Sequence, residues 1–117
     1  MATKSFKDLI VWQKAKELII EIYKITACLP SSERYGLSSQ MKRAALSIAS
    51  NIAEGYNRQH EKDKRFFNIM AYGSGSELES DIAIAKILFP KLEYKRAENL
   101  LTEVSKILNT FINKNRN

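Results

Sequence analysis

"SIASNIAEGYNR", Ser47 to Arg58, decides how this chain is read. Ile48 and Ile52 stand four residues apart, the spacing of one helical face. Ser47, Asn51, Glu54 and Arg58 run beside them at intervals of four, three and four, so a polar row follows the apolar one. Upstream, Leu37, Met41 and Ala45 extend the core face, while Gln40 and Arg43 extend the polar row. The whole row falls within about 80° of arc on one shoulder of the helix. It has three readings: side chains that set helix register or a subunit interface, a ligand or nucleic-acid face, and a catalytic row. The first is favoured, because a second helix downstream supplies complementary groups.

That helix is predicted over about 62–89. Phe66, Phe67, Met70, Leu78, Ala85 and Leu88 form its broad apolar face, and Gly73, Ser74, Glu77 and Asp81 fall inside that face. A carboxylate there needs a partner or water, since burying it alone costs several kcal/mol. A hairpin turning near Gln59 and His60 makes facing residue numbers sum to about 120. Arg43 then lies level with Glu77, Ser47 with Gly73 and Glu54 with Arg65. The structural polar set is accordingly Gln40, Arg43, Ser47, Asn51, Glu54, Arg58, Ser74 and Glu77.

Working outward, two prolines, four glycines and no strand-like alternation leave helices at about 7–29, 37–57, 62–89 and 94–113. Ser5 and Asp8 have capping-box spacing before the first. "PSSERYG" (Pro30 to Gly36) and "RQHEK" are the connections, and Pro90 ends the third helix. Short connections predict an all-α, up-down-up-down antiparallel four-helix bundle in one domain, 1–117. In the fourth helix Ala97, Leu100, Leu101, Val104, Ile107, Leu108 and Phe111 keep the spacing of a single core stripe. The first helix is greasier. Val11, Trp12, Ala15, Leu18, Ile19, Ile22, Tyr23 and Ile25 span about 160°, wider than one core needs, with Ile10 and Ile20 outside even that arc. Self-association through Trp12 and Tyr23 is the expectation.

The 117 residues are 44% hydrophobic and 27% charged, ordinary values for a globular domain, with no apolar run near the ~20 residues of a membrane span. The N-terminal stretch shows no export signal, and the single cysteine, Cys28, reads as a small core residue of a cytoplasmic protein. One histidine, His60, and one distant cysteine cannot complete a metal site or a nucleophile triad, and the Glu-x-x-His ligands of di-metal bundles are absent. "GSGSE" (Gly73 to Glu77) lacks the strand and Lys-Ser/Thr of a phosphate loop. No catalytic residue, metal or cofactor is expected. A net charge of +6 permits polyanion binding. Its candidate cations are Lys42, Arg43, Arg58, Lys62, Lys64 and Arg65, gathered near the central hairpin, and they would act mainly on phosphates.

Three stretches carry a resemblance: "LIVWQKA" (Leu9 to Ala15), "YGLSSQMKRAALSIASNIAEGYNR" (Tyr35 to Arg58) and "FFNIMAYGSGSELES" (Phe66 to Ser80). From Phe6 to about Leu88 the sequence resembles the four-helix-bundle family encoded in intervening sequences of 23S ribosomal RNA. The matched positions are Trp12, Gln40, Arg43, Ala44, Ser47, Asn51, Glu54, Gly55, Arg58, Gly73, Ser74 and Glu77. Gly75 departs from the pattern, costs about 1 kcal/mol relative to alanine and is expected to permit a kink. The family is similar to the accessory variability protein of diversity-generating retroelements, which binds nucleic acid and a reverse transcriptase. The resemblance implies a ring-like homopentamer with RNA or DNA and a partner protein as candidate ligands. The expected function is a non-enzymatic oligomeric scaffold associated with RNA or DNA; the alternative is a protein–protein adapter with no nucleic-acid role.

Overall fold

The computed structural model describes residues 4–114. Among them are four α-helices and no strand: α1 Ile10–Ala27, α2 Leu37–Tyr56, α3 Glu61–Leu88 and α4 Lys95–Asn113. Short 3-10 turns at Phe6–Asp8 and Ser31–Glu33 precede α1 and α2. Among the described residues α1 touches α2 and α4, and α3 touches the same two helices from the other side.

The first helix begins later than its capping signal. The Ser5 hydroxyl accepts from the Lys7 amide (3.0 Å) and the Asp8 carboxylate from the Lys4 amide (3.0 Å), so the box caps the 3-10 turn. Leu9 is extended, and α1 starts after it. Phe6, on that turn, sets its ring edge-on to Trp12 with centroids 5.2 Å apart. Trp12 is half-buried at the core margin, and Tyr23 is exposed with the Lys42 ammonium 5.3 Å from its ring. Cys28 lies just past the helix end and is exposed. Leu29 takes the covered position beside it, so the expected core role of Cys28 is corrected.

The core is one cluster. Val11, Ala15, Leu18, Ile22 and Ile25 of α1 meet Met41, Ala44, Ala45, Ile48 and Ile52 of α2, with Ala97, Leu100, Leu101, Val104 and Leu108 of α4 closing it. Ion pairs join α4 to its neighbours. Arg96 reaches Glu17 and Glu21 (3.2 and 3.3 Å), Lys14 reaches Glu103 (3.0 Å) and Lys86 reaches Glu98 (2.9 Å). As exposed pairs they add only tenths of a kcal/mol each.

The contribution of α3 differs from the expected one. Its buried residues are Ala71, Gly75, Leu78, Asp81, Ile82 and Ala85, while Phe66, Met70 and Leu88 face outward. Small side chains let α2 and α4 approach α3 closely, and the bulky ones are left outside. Two of them lie in an exposed stripe, Phe66, Met70, Gly73, Glu77, Ser80, Ile84 and Ile87, whose members alternate at spacings of four and three. This seam is apolar at its two ends, Phe66 with Met70 and Ile84 with Ile87, and small or polar in its middle, at Gly73, Glu77 and Ser80. A second apolar surface lies where Ile19, Ile20, Tyr23 and Ala27 of α1 meet Leu46 of α2.

Tyr94 ends α3. Its buried hydroxyl donates to the carbonyls of Ala85 (3.2 Å) and Phe89 (2.9 Å), and burial pushes its phenol above the ordinary 10.0. Both carbonyls also accept a backbone amide, Phe89 N–H on Ala85 (2.7 Å) and Leu92 N–H on Phe89 (3.5 Å), so the hydroxyl uses their second lone pairs and ties the start of α4 to the end of α3. Tyr94→Phe is expected to lower stability by about 1 kcal/mol in urea unfolding. An unchanged midpoint would mean water replaces the hydroxyl without loss.

Candidate nucleic-acid interface

The polar row on α2 divides in two. Ser47 and Ser74 share a hydrogen bond of 2.8 Å across the α2–α3 contact, and the Asn51 amide donates to the Ser47 carbonyl (2.9 Å) and hydroxyl (3.1 Å). These three are partly buried and tie the helices together. Gln40, Arg43, Glu54, Arg58 and Glu77 face solvent. Arg43 and Glu77 form no ion pair, and Glu54 pairs with Arg58 of its own helix (3.7 Å) instead of Arg65. Facing numbers sum to 121 for Ser47 with Ser74 and to 120 for Tyr56 with Lys64, within one step of the expected register. That step puts Ser74, not Gly73, opposite Ser47. The close approach falls instead at Gly55, where an added Cβ would stand 3.0 Å from the Phe67 Cβ and 3.4 Å from the Lys64 carbonyl oxygen.

The six candidate cations are not one patch. Lys42 and Arg43 sit near the start of α2, about 20 Å along its axis from its last turn. At the far end, three of the other four are engaged within the fold. Lys64 donates to the Tyr56 carbonyl (2.9 Å), Arg65 to the Ile112 carbonyl (2.8 Å), and the Arg58 guanidinium lies 4.7 Å from the Phe67 ring centroid. Lys62 is exposed beside them. These contacts fix where the charges point but use only part of each donor set, one of three ammonium N–H groups on Lys64 and the Nε–H alone on Arg65.

The start of α2 is different. Arg34, Tyr35, Ser39, Lys42, Arg43, Leu46, Ser47 and Ser50 line an open depression of about 630 Å³. On α2 these residues recur at i, i+3, i+4, i+7, i+8 and i+11, one continuous helix face, with Arg34 and Tyr35 supplied by the turn before it. Among the described residues no ion pair includes Arg34, Lys42 or Arg43. The acid nearest in sequence, Glu33, is committed elsewhere: its carboxylate accepts from the Leu37 amide (3.3 Å) at the start of α2. Tyr35 stands 89% exposed at the edge. The result is a concave surface with three unneutralised cations, exposed hydroxyls on Ser39 and Ser50, and one protruding aromatic ring.

Arg34, Tyr35 and Ser39 were not among the sequence candidates, because "PSSERYG" reads as a connection. The available signal was an Arg-Tyr pair in a turn, placed eight residues before a Lys-Arg pair on the following helix. No three His, Cys, Asp or Glu side chains among the described residues gather as a metal site would require. No helix among them is long and apolar enough to cross a membrane.

Comparison with curated proteins finds no match. A solved structure described as a protein of unknown function from the S23 ribosomal protein family of Bacteroides thetaiotaomicron VPI-5482 superposes with a TM-score of 0.77. The two are 22% identical over 88% of this chain and 98% of that one, a likeness of fold. The family described as 23S rRNA-intervening sequence protein matches residues 7–110, from the first 3-10 turn into the last turn of α4, and the chain belongs to that family.

Proposed function

We propose that this protein is a non-enzymatic, oligomeric four-helix scaffold of the cytoplasm that associates with RNA or DNA through the basic depression at the start of α2. The observation that carries the reading is the set of three cations, Arg34, Lys42 and Arg43, around a concave surface, with no acidic partner among the described residues. The family's description places these proteins with intervening sequences of 23S ribosomal RNA, which puts RNA first among the polyanions. The up-down-up-down course is supported by cross-helix partners whose numbers sum nearly to constants: 120 to 121 for α2 with α3, and 113 to 117 for α1 with α4.

Assembly into a ring-like oligomer is supported by the exposed α3 seam, where Ile87 is 78% accessible and an added Cβ on Gly73 would meet nothing within 4 Å. A second helix can approach closely there. This shifts the expected contact from Trp12, half-buried in its own fold, toward α3 and the Tyr23–Leu46 surface. The same seam favours the adapter reading, in which a different protein covers α3 and the basic face plays no part.

Titration of the purified protein with labelled structured RNA over a salt series tests the nucleic-acid reading. Engagement of three phosphates gives a slope of log K on log salt of about −2 to −3. Arg34→Glu with Arg43→Glu is expected to weaken binding more than tenfold while moving stability by less than about 0.5 kcal/mol, both side chains being exposed. Absence of affinity at ~50 mM salt removes phosphate binding from this surface. For assembly, Met70→Glu with Ile84→Glu is expected to lower the mass in light scattering, and a monomeric wild type at high concentration rejects the oligomer.

A further inference from the structure

Three aromatic rings among the described residues have a cation of the same molecule over them: Tyr23 has Lys42, Phe67 has Arg58 and Tyr56 has Lys64. Tyr35 is the contrasting case. It is flanked in sequence by Arg34 and shares its depression with Lys42 and Arg43, yet no ring or cation among the described residues lies on either of its faces. An aromatic side chain left 89% in water, in one depression with Arg34 and Arg43, neither of which has an ion-pair partner among the described residues, has the two elements that hold an unpaired nucleotide. These are a flat apolar surface for the base and positive charge for the phosphates on either side. Base pairs in a duplex are stacked on their neighbours and offer the ring no open face, whereas an unpaired base does.

On the strength of the nucleic-acid reading above, we infer that the depression takes a single-stranded polynucleotide, one base stacked on Tyr35 and the flanking phosphates on Arg34 and Arg43. Ser39 and Ser50 lie along the same face and can donate to phosphate or sugar oxygens. Leu46, exposed in the floor of the depression, supplies apolar surface beside the ring. Stacking is indifferent to base identity, so the strand is recognised by its being unpaired and not by its sequence. The depression's volume, about 630 Å³, lies within the ~300–1,000 Å³ of clefts that hold small ligands, enough for a nucleotide and its neighbouring phosphates.

The test is fluorescence anisotropy with labelled oligonucleotides of about 12 residues: single-stranded RNA, single-stranded DNA, the matching duplexes, and a strand with abasic sites. The wild type is expected to bind single strands about tenfold more tightly than duplex. Tyr35→Ala is expected to lose about tenfold on single strands and little on duplex, with the salt slope unchanged. Tyr35→Phe and Tyr35→Trp keep the affinity. Arg43→Ala flattens the slope by about 0.7 on single strands instead. The abasic strand binds the wild type about as weakly as the intact strand binds Tyr35→Ala, a measurement that needs no variant to fold. RNA and DNA arms that agree assign recognition to base and phosphate; a preference for RNA adds a 2′-hydroxyl contact to the same site. Duplex bound as tightly as single strand, with Tyr35→Ala silent, overturns the inference and leaves the broader reading standing. No binding to any strand overturns both. A lower oligomer mass for Tyr35→Ala assigns the ring to a contact between copies and overturns the inference as well.

Discussion

Gly55→Val is expected to lower the unfolding free energy by about 2 to 3 kcal/mol, read from the urea midpoint. A Cβ at this position would stand 3.0 Å from the Cβ of Phe67, closer than nearly all real contacts, and 3.4 Å from the backbone oxygen of Lys64. Neither neighbour can turn aside as the tip of a long lysine or methionine does, so the two helices must move apart. Valine adds two further carbons to that contact and recovers only a few tenths of a kcal/mol of helix propensity over glycine. Separation at Gly55 also strains the Lys64 ammonium's bond to the Tyr56 carbonyl and, further up, the Ser47–Ser74 pair. Gly75→Ala runs the other way. Its nearest neighbours, Leu101 Cδ1 and Ser105 Oγ, lie at 3.5 Å, ordinary contact, so the propensity gain of about 1 kcal/mol is kept. Gly73→Ala is expected to gain similarly, since its methyl group would meet nothing within 4 Å; under the proposed assembly through α3 the same methyl group is expected to lower the oligomer mass. An unchanged midpoint for Gly55→Val would show that the α2–α3 crossing is looser than these distances imply.

The helices and their order were legible because each has its own local signal: the Pro90 stop, the glycine and proline in "PSSERYG", and the clean single stripe on α4. Within α4, Ala97, Leu100, Leu101, Val104 and Leu108 are buried as the spacing requires, and Phe111, a turn from the end, is partly exposed. The hairpin register was legible to within one residue, since the turn near Gln59 and His60 fixes which residues face each other; the charge pairs read from it, Arg43 with Glu77 and Glu54 with Arg65, do not form. The inward face of α3 was not. Projection weights large apolar residues, so Phe66, Met70 and Leu88 outvote Ala71, Gly75 and Ile82. Close packing needs the small residues inside, and that preference belongs to the partner helices and not to α3 itself. The cations were misplaced for a related reason. Proximity in sequence to a turn does not tell a free guanidinium from one already hydrogen-bonded to a carbonyl. Arg65 is held by Ile112, forty-seven residues away, which no local pattern encodes.

The second large effect is expected at Asp81, where removing the charge should stabilise the protein at neutral pH. Asp81 is 8% exposed on the buried side of α3 with Leu78, Ile82 and Ala85, and its Oδ2 has no hydrogen-bond partner among the described residues. Desolvation raises its pKa above 3.8, and the Glu77 carboxylate one turn away raises it further. The sign follows from which state keeps the proton. Below about pH 3.8 both folded and unfolded states carry a neutral Asp81, and the residue imposes no penalty. As pH rises the unfolded state ionises first, the folded state holds its proton to a higher pH, and stability falls across that interval. Above the folded pKa the full cost of the buried charge is present. Asp81→Asn is therefore expected to gain about 1 kcal/mol at pH 7 and nothing below about pH 3.8, because it keeps the shape and removes the charge. Asp81→Leu is expected to gain about 2 kcal/mol, since it removes the unsatisfied oxygen as well and adds apolar contact with the core. Unfolding midpoints of both variants measured across pH test the account, and the gap to wild type must open as pH rises. A loss of stability at pH 7 in both would mean the carboxylate is held by a favourable contact, and would overturn the account.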